Sequence, residues 1–278
     1  MSSSNGSPLN GLSLSKPLAV FDAGIGSYAI VDLIRRRQPR RDILYFADRA
    51  SFPYGGKDRA ALLAIIRATI RFLLDHEPEA IVLASNAPSI MVLDDVKGSC
   101  SVPIYGVAPP LEEALARSRS GMVGTMGVRS LIESVELPGF VRDRVPDPEH
   151  VALIEASDMV DLVESGAFLS DPERTQKAVT AFTAAIATRW PAIDVLTLSS
   201  THLPWLRSFF EQARPDWLFL DPAEAVAAAL PLPRSGTGRT VALVTESRTY
   251  TVAGFRKMLD KLGVTLDLRV VDPLVRPS

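Results

Sequence analysis

The chain has 278 residues, 47% of them hydrophobic, and 30 basic residues nearly balance 32 acidic ones for a formal charge of −2. That length and apolar share allow one large folded domain or two medium ones. The charge balance, with no long basic run, gives a nucleic-acid surface little electrostatic support and favours a small-molecule partner.

Along the chain, residues 1–16 are rich in Ser, Gly and Asn, have neither the charged start nor the apolar core of a signal peptide, and read as a flexible tail. Short apolar runs then alternate with longer segments of helical pattern: Leu18 to Asp22, Ile43 to Ala47, Ala80 to Ala84, Pro103 to Val107, Gly121 to Gly124, Val151 to Glu155, Asp194 to Leu198, Trp217 to Leu220 and Val241 to Thr245. This alternation predicts parallel sheets covered by helices. Between the second and third runs, Asp58 to Asp75 carries Leu62, Ile65, Ile66, Thr69, Ile70 and Leu73 at helical spacing for one buried face. Nine strands are many for one twisted sheet, and the Pro109-Pro110 pair marks a break after the fourth run. The expected fold is therefore α/β with two parallel-sheet domains, the first from 17–108 plus 207–278 and the second from 109–206. Pro231 to Gly238 reads as an exposed connection before a last strand, helix and strand. No apolar stretch reaches the roughly 18 to 20 residues that a bilayer span needs, so no membrane partner is expected. The single cysteine, Cys100, cannot form an intrachain disulfide and fits a reducing cytoplasm.

Ligands of parallel α/β sheets sit outside the carboxyl ends of the strands, which directs attention to four loops. In Phe21-Asp22-Ala23-Gly24-Ile25-Gly26 a carboxylate ends a strand and two glycines permit close backbone approach. The loop from Phe46 to Gly55 ends in Pro53-Tyr54-Gly55, with a ring and a hydroxyl on a constrained turn. Ala84-Ser85-Asn86-Ala87-Pro88-Ser89 and Ser199-Ser200-Thr201-His202-Leu203-Pro204 place short polar groups after strands, where they also serve as helix caps. His76 and His150 read as solvated surface. No His/Cys/Asp/Glu grouping has metal-ligand spacing, so no metal is expected.

Together these loops resemble glutamate racemases of the aspartate/glutamate racemase superfamily, from about Pro17 to Val270. The family's Phe-Asp-Ser-Gly-Ile-Gly-Gly is similar to Phe21 to Ser27, and its Tyr-Phe-Gly-Asp and Pro-Tyr-Gly to Tyr45 to Asp48 and Pro53 to Gly55. Its Cys-Asn-Thr-Ala-Ser resembles Ser85 to Ser89, its Gly-Thr resembles Gly124-Thr125, and its Gly-Cys-Thr-His-Tyr-Pro resembles Ser199 to Pro204. The Leu162 to Gly166 segment is similar to its Leu-Val-Glu-x-Gly. The resemblance implies a pseudo-twofold pair of α/β domains with the active cleft between them. It further implies no cofactor, a homodimer, and racemisation by two thiols on opposite faces of the α-carbon. By that match Ser85 and Ser200 stand where the family carries its catalytic cysteines. Asp22, Glu164 and His202 match the groups that assist the thiols. Ala23, Asn86, Ala87, Thr125, Thr201 and the Pro53-Tyr54-Gly55 turn match the substrate-binding positions.

A thiol titrates near about 8.5 and each unit of mismatch costs roughly 1.4 kcal/mol. A serine hydroxyl is a far weaker acid, so an unassisted serine pair fails as α-proton bases. Hydroxyls are also missing at Ala23 and Ala87, Ser199 replaces Gly, and Val128 stands near an expected Thr, departures that argue for natural divergence rather than an engineered pair of changes. Cys100 precedes its strand and lies away from the site. Several functions stay open. One is a racemase-like pocket for an acidic amino acid or small carboxylate, with altered isomerase or lyase chemistry and His202 and Asp22 as acid/base groups. The alternative is a catalytically silent binding or regulatory homologue. A dinucleotide fingerprint at Gly24-x-Gly26-x-x-Ala29 with Asp48, and a serine hydrolase using Ser85 or Ser200 with His202, are lesser readings.

Overall fold

The computed structural model describes residues 14–275; the first thirteen residues of the expected tail lie outside the described residues. Among the described residues, ten strands form two sheets in which every neighbouring pair is parallel. They are β1 (Leu18–Asp22), β2 (Ile43–Asp48), β3 (Ala80–Leu83), β4 (Ile104–Gly106), β5 (Val123–Gly127), β6 (Val151–Glu155), β7 (Val195–Leu198), β8 (Leu218–Leu220), β9 (Thr240–Thr245) and β10 (Leu268–Val270). The first sheet runs β10-β9-β2-β1-β3-β4 and the second β6-β5-β7-β8. Every residue of β1, β2 and β3 is buried. Strands covered on both faces must be apolar throughout rather than alternating, which is why they stand out as unbroken runs.

The helix Arg59–Leu74 buries the six residues that its periodicity predicts. Its start is fixed by Asp58, whose side chain accepts the Ala61 N–H at 2.8 Å. After Pro109-Pro110 the chain enters the second sheet. Its first strand begins later than the Gly121 to Gly124 run: Gly121 has a left-handed φ of 79°, and pairing opens at Val123 against Val151.

The return to the first sheet also falls later than residue 207. Leu218 to Leu220 still pair with Val195 to Thr197, and the helix Arg207–Ala213 sets Phe210 against Phe182 of the helix Pro172–Arg189, ring centroids 6.4 Å apart. Only the helix Ala223–Ala229 packs back on Tyr28–Arg37. The Pro231 to Gly238 connection is largely exposed, yet it is pinned: Asp42 accepts the N–H groups of Thr237 and Arg239 at 2.8 and 3.1 Å. Gly236 and Gly238 have positive φ, and a Cβ on either would strike a carbonyl oxygen of Arg40 or Pro39.

Equal register along the sheet brings the carboxyl ends of β1, β2 and β9 level, with Asp22 opposite Ala47 and Asp48 opposite Thr245. Among the described residues no helix is long and apolar enough to cross a membrane.

Candidate functional site

Loops after β1, β2 and β3 of the first sheet and after β5 and β7 of the second line one cavity of about 80 Å³, large enough for a small ligand or several waters. Of the residues expected there, Asp22, Ala23, Pro53, Tyr54, Gly55, Ser85, Asn86, Ala87, Ser200, Thr201 and His202 line it. Gly24, Phe52, Val128, Val160 and Ser199 complete the wall.

Asp22 ends β1 and is 3% exposed. Burial pushes its carboxyl up to about 6, against the opposing pull of the Ala23 and Gly24 N–H groups, the His202 charge and the Ser85 hydroxyl. Thr201 donates to it weakly at 3.4 Å across from the second sheet. Ser85 precedes the short helix Asn86–Met91 without capping it, so its hydroxyl is left to Asp22.

On the second-sheet side, β7 ends at Leu198 and the turn through Thr201 delivers His202, 6% exposed. His202 Nε2 lies 2.9 Å from Glu164 Oε2. Glu164 closes the helix Ser157–Glu164, which is stopped by Gly166 at a left-handed φ of 74°. Burial drives its carboxyl upward, but the His202 hydrogen bond and the nearby charges of His202 and Arg49 prevail and hold it at about 2. Glu164 itself does not line the cavity; it stands behind the imidazole.

Three expectations change. Thr125 is fully buried inside the second sheet, where its hydroxyl accepts from Thr197 at 3.2 Å, and it does not reach the cavity. The Tyr54 hydroxyl donates to Asp48 at 3.2 Å, so Tyr54 offers the cavity its ring. His76 is half-buried, edge-on to Phe72 with centroids 5.1 Å apart, rather than solvated.

The glycine pair has a local explanation. A Cβ on Gly24 would lie 2.7 Å from His202 Cε1, and one on Gly26 would lie 2.6 Å from the Thr201 carbonyl carbon. These glycines admit the β7 loop, and Asp48, buried with Tyr54 and Thr245 as partners, is not free to take a ribose. The dinucleotide reading loses both its supports. No grouping of His, Cys, Asp and Glu suited to a metal occurs among the described residues.

One participant carries no mark in the sequence. Arg49, 3% exposed, directs Nη2 at Glu164 Oε1, 2.7 Å away, and donates from Nη1 to the Ala23 carbonyl at 3.0 Å. A loop arginine ordinarily belongs to solvent; the one available signal was a carboxylate, Glu164, in need of a cation once buried.

No family model matches the chain. A glutamate racemase of Thermus thermophilus is 32% identical over 260 residues, covering 89% of this chain and 92% of that protein. This chain belongs to the glutamate racemase family. Another member, from Chlorobaculum tepidum, is 31% identical over 224 residues, 80% of either chain. The crystal structure of the Thermus thermophilus family member in complex with beta-chloro-D-alanine superposes with a TM-score of 0.76 at 31% identity, over 92% of this chain and 96% of that one. The family member from Francisella tularensis, in complex with D-glutamate, gives 0.75 at 25% identity, over 92% and 97%.

Proposed function

We propose that the cavity binds an acidic amino acid or a similar small carboxylate and that the protein moves the α-proton of that ligand without a cofactor. Asp22 and His202 act as the acid/base pair from the two sheets. The observation that carries this reading is their placement: one titratable group from each sheet faces the same small cavity, the carboxyl poised at about 6 and the imidazole backed by a carboxylate. Proton transfer needs an acid and a base within reach of the reacting carbon, and Asp22 titrates near working pH. Ser85 and Ser200 stand where the resemblance puts the two thiols, so the hydroxyls serve as hydrogen-bonding groups and the proton-transfer burden falls on their neighbours. The D-glutamate bound to the Francisella tularensis relative supports the ligand class. A homodimer in the cytoplasm, with the cleft between domains at roughly 17–108 plus 221–275 and 109–220, completes the proposal.

Incubation with D- and L-glutamate, D- and L-aspartate and related dicarboxylates in deuterium oxide tests it. Deuterium entering the α-carbon, lost in Asp22→Asn and His202→Gln, is the expected result. A second reading, a silent binding homologue, is favoured by the two serines themselves; saturable binding of a dicarboxylate with no exchange in the wild type would establish it instead.

A further inference from the structure

Arg49 is enclosed by aromatic rings, with its guanidinium carbon 4.7, 5.2 and 5.3 Å from the centroids of Phe52, Phe255 and Tyr250. A guanidinium keeps its charge in a protein, and a buried charge needs an opposite one. Glu164 supplies it at 2.7 Å. Glu164 has its own reason to need a cation, because it ends a helix, where the dipole opposes a negative charge. Its second oxygen meets His202 Nε2 at 2.9 Å, and Asp22 is the other charged group that His202 faces.

We propose that Arg49 is a positioning residue that sets the charge state of His202: by balancing Glu164 it leaves the imidazole free to gain and lose a proton. The reasoning is an account of buried charge. With Arg49 and Glu164 paired, the cluster is neutral when His202 is neutral. The ionised carboxylate only accepts, so it fixes the proton of the neutral ring on Nε2 and leaves the Nδ1 lone pair as the base. Without Arg49, the buried carboxylate has His202 as its remaining ion partner among the described residues, and His202 is held as its imidazolium. Arg49 also holds the Ala23 carbonyl, next to Asp22, so one side chain braces the supports of both acid/base groups. It lines no part of the cavity.

This inference rests on the proposed role of His202, and its test does not require turnover. Ring-nitrogen NMR of the full chain, with His202 assigned by loss of its signals in His202→Gln, follows His202 protonation against pH. Arg49→Met extends the protonated form upward by about one pH unit or more, the scale of a neighbouring charge. Glu164→Gln moves it downward, since Arg49 then repels the imidazolium. The double variant Arg49→Met/Glu164→Gln, again without net buried charge, returns toward wild type, and it carries the test if Arg49→Met alone does not fold. A folded Arg49→Met with wild-type behaviour, or a double variant identical to Glu164→Gln, overturns the proposal. If the wild type exchanges α-protons, the same step appears in its pH profile. If it exchanges none, the functional proposal fails while the NMR result still decides the role of Arg49.

Discussion

The two sides of the cavity each bury a carboxyl group, and the two groups are driven in opposite directions. Asp22 on the first sheet is deprived of water and only partly compensated by backbone N–H groups, the His202 charge and the hydroxyls of Ser85 and Thr201, so it keeps its proton to about pH 6. Glu164 on the second is also deep in the protein, but a guanidinium and an imidazole sit against it, and it stays ionised down to about pH 2. Burial therefore sets the stakes and the partners set the sign. Environments that push two neighbouring acids apart are how one site obtains both a proton donor and a fixed anion.

The sharpest way to break this contrast is to neutralise Glu164. Glu164→Gln strands Arg49 among aromatic rings with no counter-ion. The expected loss is about 3 to 5 kcal/mol of unfolding free energy near neutral pH, as for other buried pairs broken on one side. Urea titration measures it, and adding Arg49→Met recovers most of the loss. The sign with pH also follows. The folded chain holds Glu164 at about 2 against an ordinary 4.5, so its contribution is complete above about 4.5 and disappears as pH falls toward 2. A single variant as stable as wild type would show that the guanidinium does not depend on this carboxylate.

Asp22 carries the opposite sign. Its folded carboxyl titrates at about 6 and its ordinary value is 3.8, so between those values the folded state binds the additional proton and stability falls as pH rises. The shift corresponds to roughly 3 kcal/mol. Asp22→Asn removes that loss: the variant gains on wild type as pH climbs from about 4 to 7 and gains little below, followed by thermal melts across that range. A gain that does not change with pH would mean that Asp22 is ionised throughout.

The interlock between the sides is tested by glycine. Gly24→Ala drives a methyl group into the His202 ring and should cost about 1 to 3 kcal/mol, typical of an overfilled core, with loss of ligand binding. Gly98→Ala, whose new methyl group meets nothing within 4 Å at a φ of −71°, should change stability by no more than about 1 kcal/mol, in the stabilising direction.

Much of this architecture is legible in the amino-acid sequence. The β1 and β6 boundaries coincide with their apolar runs, and the buried face of Arg59–Leu74 follows from a 3.6-residue period, because those signals are local. The cavity-lining loops were legible for a topological reason, since parallel strands place their carboxyl ends together. Arg49 was not, because its burial depends on Glu164, which lies far along the chain, and on the rings of Phe52, Tyr250 and Phe255, the last two about 200 residues away in sequence. Nor was the purpose of Gly24 and Gly26: glycine signals a close approach, but the approaching body, the Thr201-His202 turn, arrives from the other sheet. Nor is the partner of β8 legible, since three apolar residues carry no mark of their neighbour: the expected 207–278 segment puts them with the first sheet, whereas they pair with β7.

Thr125 gives the smallest and most selective test, because family resemblance and observed packing disagree about it. Resemblance places it against the ligand, whereas its hydroxyl lies in a buried chain with Thr197 and Ser199 at 3.2 and 2.7 Å. Thr125→Val keeps the shape and removes one acceptor, leaving Thr197 its bond to Ser199. The expected cost is about 1 kcal/mol of stability, the worth of one ordinary hydrogen bond, with dicarboxylate affinity unchanged. That outcome would mean that the second sheet reaches the ligand through its loops alone, with Val128 after β5 and the Ser199 to His202 turn after β7 forming its share of the wall. A large loss of affinity at unaltered stability would instead require β5 to turn its hydroxyl toward the cleft when the ligand binds, and the contrast between the two sides would then include a strand as well as a loop.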